Sequence, residues 1–364
     1  MSGEIPEPDA IEGVPHPRLA PRLFGQQAAE AAFLDAVRSG RPPHGWMIAG
    51  PRGVGKATLA WRMARHLLAG APGDTLDMDA DHPVFRHVAA LGDPRLFLCR
   101  RPWDEKTKRL RTAITVEEAR ALKGFFQMSA AGGGWRVAIV DAADEMNTAA
   151  ANALLKVLEE PPERACLILV AHQPARLLPT LRSRCRTLRC APLAPPALAA
   201  ALAQAGVAVE PEEIAPLGLL VDGSVGTAAR LVAGEGLGIY DELLALALAA
   251  PGMDRRRVIA LAESCAGRDA EPRYALALDL ARLLMSRLAL AGAGMAVSPA
   301  SDAEAALWAR YPGAAAARLW AERAAEMVAR TGHARAVHLD PAQVILDTCL
   351  RIDTAAVEAR AIAA

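Results

Sequence analysis

The sequence has 364 residues, 52% of them hydrophobic, which suits two or three domains of roughly 150 residues with cores of their own and argues against a disordered chain or a disulfide-stapled miniature. Lys and Arg number 41, as do Asp and Glu, so no global field draws the chain onto nucleic acid or an anionic membrane, and any such contact must come from a local patch. The longest apolar runs, such as Leu243 to Ala250, fall far short of the roughly 20 residues that cross a bilayer, and the opening MSGEIPEPDA lacks the basic start and apolar core of a secretory signal, which points to the cytoplasm.

Residues 1–20 carry several prolines and little periodicity and read as an N-terminal tail of low order. From Phe24 to Gly40 the spacing of Phe33, Leu34 and Val37 predicts a helix, closed by Gly40, Pro42 and Pro43. Trp46–Gly50 is a short apolar run ending in a glycine-rich turn, and Lys56–Ala69 returns to helical spacing, so the order is strand, glycine loop, helix. Residues 95–111 hold seven basic side chains against Asp104 and Glu105 and suit a hairpin or loop. Thr115–Met128 is helical. WRVAIVD then gives a second strand with Asp141 at its end, Asn147–Glu160 an amphipathic helix stopped by Pro161 and Pro162, and CLILVA, Cys166–Ala171, a third strand. Strands alternating with helices imply a parallel sheet covered on both faces. Beyond Cys190 a proline-rich linker leads into helices alone, a short unit over 193–236 and longer Ala/Leu/Arg helices over 237–364.

Gly50, Gly53, Gly55 and Lys56 lie in GPRGVGKA, which has the shape of a phosphate-binding loop. Glycines let the backbone N–H groups converge on phosphate, the following helix adds its positive end, and Lys56 reaches the outer phosphates. The alternative is an ordinary glycine-rich turn. The pattern next requires a Ser or Thr hydroxyl for Mg²⁺, but the residue is Ala57; Thr58 lies about 100° further around the helix. Asp141 stands where a second-strand aspartate would hold Mg²⁺ through water, yet Ala142 replaces the glutamate that would orient the attacking water. Asp144 and Glu145 follow too late and are expected to point elsewhere. The pocket is therefore expected to hydrolyse ATP poorly or not at all. Six cysteines contain no C-x-x-C pair, and Cys185 and Cys190 have no second pair nearby, so no metal site is expected.

The run NALLKVLEEPP (Asn152–Pro162), followed by CLILVAHQPARLLPTLRSRC (Cys166–Cys185) and preceded by FGQ (Phe24–Gln26) and the phosphate loop, resembles the clamp-loader AAA+ ATPases. The resemblance covers about residues 21–235 and implies an AAA+ α/β P-loop domain with a parallel sheet over 21–192, a small helical lid over 193–236 and an all-α collar domain over 237–364. It implies that Arg184 of Ser183-Arg184-Cys185 is a trans arginine finger, offered to ATP on a neighbouring subunit. The partners implied are gamma/tau ATPase subunits, a delta subunit and, through a hetero-pentameric assembly, the beta sliding clamp and primed DNA, within a DNA-directed DNA polymerase holoenzyme. ATP-hydrolysing relatives carry Gly-Ser-x-Arg in the lid, where this chain has Gly223-Ser224-Val225-Gly226, with Arg230 a turn later. The first sensor position, near Ala171 and His172, lacks the usual Thr or Asn. Relatives with a four-cysteine zinc module would need more than the single Cys99 found over 70–99, so no zinc is expected.

These features suit a non-hydrolysing subunit that requires no cofactor, while the surviving loop and Lys56 leave residual ATP or ADP binding open. Two alternatives remain: an active AAA+ ATPase of the clamp-loader or Holliday-junction-helicase type, and a nucleic-acid-binding module using the 95–111 segment.

Overall fold

A computed structural model describes residues 7, 8, 10, 13–71, 73–128, 134–267 and 269–363. The chain divides into two compact units, one reaching Ala208 and taking back Asp222–Thr227, the other formed by Val209–Val221 and the chain from Ala228 onward. The segment expected as a lid, 193–236, is divided between the two units. Its first helix belongs with the sheet, and most of the rest belongs with the helices that follow.

In the first unit a 3-10 turn, Pro17–Leu19, precedes α1 (Gln27–Arg38), β1 (Gly45–Ala49), α2 (Lys56–Leu68), α3 (Pro83–Ala89) and β2 (Leu96–Cys99). A two-stranded hairpin follows, β3 (Trp103–Asp104) and β4 (Arg109–Leu110), then α4 (Val116–Gln127), β5 (Arg136–Asp141), α5 (Thr148–Glu159) and β6 (Ala165–Ala171). The unit's last elements in this run are α6 (Pro179–Arg182), β7 (Arg186–Arg189) and α7 (Pro195–Gln204). Strands β2, β5, β6, β1 and β7 form one parallel sheet in that order. β6 thus lies between the loop-bearing β1 and the aspartate-bearing β5, in a parallel sheet covered by helices as expected.

Every residue of β1, β5 and β6 is buried, because helices cover both faces and no side chain can turn to water. On one face Met47, Ala138, Val140, Leu167 and Leu169 pack with Leu122, Phe125 and Phe126 of α4 and Leu154 and Leu158 of α5. On the other, Trp46 meets Phe33 of α1 edge-on, ring centroids 5.2 Å apart. Strand β7 closes the sheet with only Leu188 buried, while Arg186, Thr187 and Arg189 are exposed and the Arg186 guanidinium lies 5.5 Å from the Trp46 ring centroid.

The described part of the N-terminal segment is tied down, contrary to the low order expected over 1–20; residues 1–6, 9, 11 and 12 lie outside the described set. Arg65 of α2 is fully buried, and its guanidinium donates to the carbonyls of Arg18 (2.9 Å) and Ala20 (2.7 Å). A buried guanidinium needs acceptors, and the chain entering the fold supplies them. Burial lowers the Arg65 pKa to about 9.

The second unit holds α8 (Pro211–Leu220), most of α9 (Val225–Ala233), α10 (Gly236–Ala249), α11 (Arg255–Ser264), α12 (Glu271–Gly292), α13 (Asp302–Ala309), α14 (Ala314–Ala336) and α15 (Pro341–Ala363). At its centre Glu304, 0% exposed, accepts from Arg287 Nε (2.7 Å) and Nη2 (3.0 Å), from Tyr240 Oη (2.6 Å) and from the Ala300 amide (2.6 Å). Arg287 also donates to the carbonyls of Leu219 and Ser298. Burial alone would raise the Glu304 carboxyl, but these donors outweigh it and hold the group below the ordinary carboxylate range.

Candidate functional site

The loop after β1 is built as the glycine spacing requires. Gly53 has φ +76°, and a Cβ there would come 2.1 Å from Ser224 Oγ, so the position needs glycine both for its conformation and for the approach of a second segment. That segment is bound to the loop: the Val225 amide donates to the Gly53 carbonyl at 2.9 Å. Gln26 of Phe24-Gly25-Gln26 is buried and ties the loop to the chain beyond β7. Its amide donates to the carbonyls of Val54 (3.0 Å) and Ala191 (2.8 Å) and accepts from the Ala191 N–H (3.0 Å).

Lys56 is buried at the start of α2 and turns back into its own loop, donating to the Pro51 carbonyl. Burial lowers its pKa to about 8, against the opposing influence of Cys190, Asp141 and Asp144. Asp141 is buried at the end of β5, close enough to Lys56 to favour its charge. Sequence-predicted Gly50, Gly53, Gly55, Lys56 and Asp141 are thus gathered at one end of the sheet, around the loop.

Asp144 and Glu145 do not point elsewhere. A 3-10 turn, Ala143–Glu145, brings both back: the Asp144 carboxylate accepts the His172 amide at 2.8 Å, and Glu145 pairs with Arg52 of the loop (3.3 Å) and with Arg101 (2.7 Å). The tight turn is what a strand-end reading misses, since it reverses the chain within three residues. Neither carboxylate occupies the position after Asp141, where Ala142 stands.

His172 directly follows β6, near where the first sensor position is expected. Burial, reinforced by the Lys56 charge, lowers its pKa to about 4. Because the folded state binds the proton more weakly than the unfolded chain, stability is lost as pH falls from the ordinary histidine value of about 6.5 toward 4. His172→Asn removes that dependence. The drop in urea midpoint between pH 7 and pH 5 should be smaller for the variant than for the wild type, though not zero, because His66 is shifted in the same direction.

The residues present fit a bound nucleotide with Mg²⁺ incompletely. The backbone curl and Lys56 remain, but Ala57 offers no hydroxyl to the metal and Ala142 no carboxylate to a water. Arg230 is exposed on α9.

Arg184 lies at the other end of β1. A Cβ on Gly45, the first residue of that strand, would stand 3.2 Å from both the Arg184 carbonyl and Cys185 Sγ and 2.6 Å from Leu158, so a bare glycine lets the Ser183-Arg184-Cys185 turn close on the sheet. Cys185 is buried and its thiol is pushed up to about 12 by burial, which makes it an anchor and leaves it unreactive. The Arg184 side chain is 37% exposed, with Nη2 2.9 Å from Glu159 Oε1 and Nη1 donating to the Thr180 carbonyl at 3.0 Å. Glu159 was not singled out by the sequence reading; its place in LEEPP, directly before the prolines that end α5, was the available signal.

Five of the seven basic residues over 95–111 have carboxylate partners: Arg95 with Asp93, Arg100 with Glu7, Arg101 with Glu145, Lys108 with Glu105 and Arg111 with Asp104. Three of those partners come from outside the segment, so its local excess of charge is largely offset. Among the described residues no group of three or more His, Cys, Asp or Glu could hold a metal ion, and no helix is long and apolar enough to cross a membrane.

Residues 25–194 match the family described as DNA polymerase III, delta subunit. A stretch of 196 residues is 36% identical to DNA polymerase III subunit delta' of Pseudomonas aeruginosa, covering 53% of this chain and 57% of that one. Another of 170 residues is 32% identical to subunit delta' of Escherichia coli, covering 44% and 46%. The gamma/tau subunit of Mycobacterium bovis is 31% identical over 229 residues, 61% of this chain and 36% of that protein. The matches thus span about half the length of the delta' relatives and about a third of the gamma/tau one.

Proposed function

We propose, from the premise that residues 25–194 belong to the DNA polymerase III delta family, that this chain is a delta-prime-type stator of a clamp loader. It keeps the nucleotide-binding fold for its shape and offers Arg184 to ATP held by a gamma/tau-type neighbour.

The observation that carries this reading is the placement of Arg184 at the opposite end of β1 from the phosphate loop. Its backbone packs against Gly45, whereas the cradle starts past Ala49. Five residues of strand at about 3.3 Å each separate the two by roughly 16 Å. A guanidinium so placed cannot reach a triphosphate in its own pocket, and it is exposed to whatever docks beside it. The pocket's missing Mg²⁺ hydroxyl and water-orienting carboxylate support the same division of labour. The further partners, a delta subunit and through the assembly the beta clamp and primed DNA, follow from this reading. Exposed Val328, Leu350, Val357 and Ile362 on α14 and α15 are suited to packing in a collar of like helical domains.

The test is the fate of Lys56. The purified chain should show no Mg²⁺-dependent ATP turnover, and Lys56→Met in the reconstituted complex should leave DNA-stimulated ATPase within about twofold of wild type, because a lysine that serves no hydrolysis can be lost without effect on rate. Brisk turnover by the lone chain, abolished by Lys56→Met, would establish the active-ATPase reading instead.

A further inference from the structure

We propose that Glu159 is a positioning residue for Arg184, holding the guanidinium in the orientation in which it meets a neighbour's triphosphate; the inference rests on the trans-finger reading above.

Glu159 ends α5, and Pro161 and Pro162 prevent the helix from continuing. A carboxylate in the last turn of a helix faces the negative end of the macrodipole, so the helix gains nothing from an acid here. What that carboxylate does have is Arg184 Nη2 at 2.9 Å. The second hold on the guanidinium comes from a different element: the Thr180 carbonyl of α6 takes Nη1 at 3.0 Å and also accepts from Ser183 Oγ at 3.1 Å. Two acceptors on separate elements fix both the direction and the plane of the fork. A guanidinium has five N–H donors, so three stay available for phosphoryl oxygens while two remain held. The exposure of the pair, 37% for Arg184 and 46% for Glu159, leaves those donors open to an incoming subunit. Free in solvent, a long arginine side chain would have to lose its rotamer freedom as the neighbour docks; here that loss has already been taken.

The experiment uses the reconstituted complex with Glu159→Ala, Arg184→Ala and the double variant, measured as DNA-stimulated ATPase with kcat and KM for ATP separated. Glu159→Ala is expected to lower kcat two- to fivefold, the range of a half-exposed ion pair, with KM unchanged because ATP is bound by the neighbour. In the Arg184→Ala background, Glu159→Ala should add nothing, since its effect passes through the arginine. A merely structural role would lower assembly or thermal stability and would persist in the double variant. Unchanged or raised kcat in Glu159→Ala, beside a strong loss in Arg184→Ala, overturns the positioning role alone. No loss in Arg184→Ala overturns the trans-finger reading, and the positioning role with it.

Discussion

Arg184→Ala is expected to lower DNA-stimulated ATPase of the reconstituted complex at least tenfold while leaving subunit assembly intact. Removal of an arginine finger costs about 10³- to 10⁵-fold where a single phosphoryl-transfer site is watched, because the fork neutralises charge that spreads over the transferring oxygens as the bond to the leaving group loosens. In an assembly with several ATP sites the observed floor is set by those sites that Arg184 does not face, which is why the expectation is stated as a lower bound. The geometry explains why the subunit itself should survive. The side chain is exposed and its neighbour Cys185, which is buried, supplies the packing that holds the turn to the sheet. Arg184→Lys is expected to behave more like alanine than like arginine, since an ammonium cannot present the planar fork. Size-exclusion chromatography of the complex beside steady-state ATPase separates the two consequences, and full turnover with Arg184→Ala would remove the finger from the mechanism.

Glu304→Leu should destabilise the helical unit by about 3–5 kcal/mol, because it leaves the Arg287 guanidinium buried without its carboxylate. Glu304 is wholly inaccessible and Arg287 only 7% exposed, so water cannot take the place of the lost partner. Tyr240 Oη would be orphaned as well. The double variant Arg287→Met with Glu304→Leu should recover most of that loss, since an apolar pair of similar volume removes both the charge and the need for it. The measurement is urea unfolding followed on the helical transition, because a chain of two units need not unfold in one step. A loss below about 1 kcal/mol for Glu304→Leu would mean that the network relaxes to solvent.

The central strands and the helices around them were legible in the sequence because burial on both faces forces uninterrupted apolar runs: Gly45–Ala49, Arg136–Asp141 and Ala165–Ala171 carry β1, β5 and β6 almost where the pattern puts them. Strand β7 was not, since an edge strand with one buried residue shows no such run. The hairpin of β3 and β4 was left between hairpin and loop, for it is too short to impose alternation. How the helices over 193–236 divide between the units was not legible either, for a different reason. Helical periodicity tells that a segment is helical but not which neighbour it packs against, and Asp222–Thr227 returns to the sheet unit through Ser224 and Val225 at Gly53, a contact between positions some 170 residues apart. The glycine loop and Lys56 were visible as a local motif. The carboxylates that gather near it, Asp144 and Glu145, were visible as residues but not as neighbours, because their direction is set by one turn of 3-10 helix.

The arginines of β7 bear on how two copies of the chain meet. An open parallel sheet ends in a row of unpaired backbone groups that would welcome a strand from another molecule. Arg186 and Arg189 are exposed on that edge strand, so a second copy arriving edge to edge brings like charges together as it pairs. Edge-to-edge pairing of two copies through β7 is thereby disfavoured.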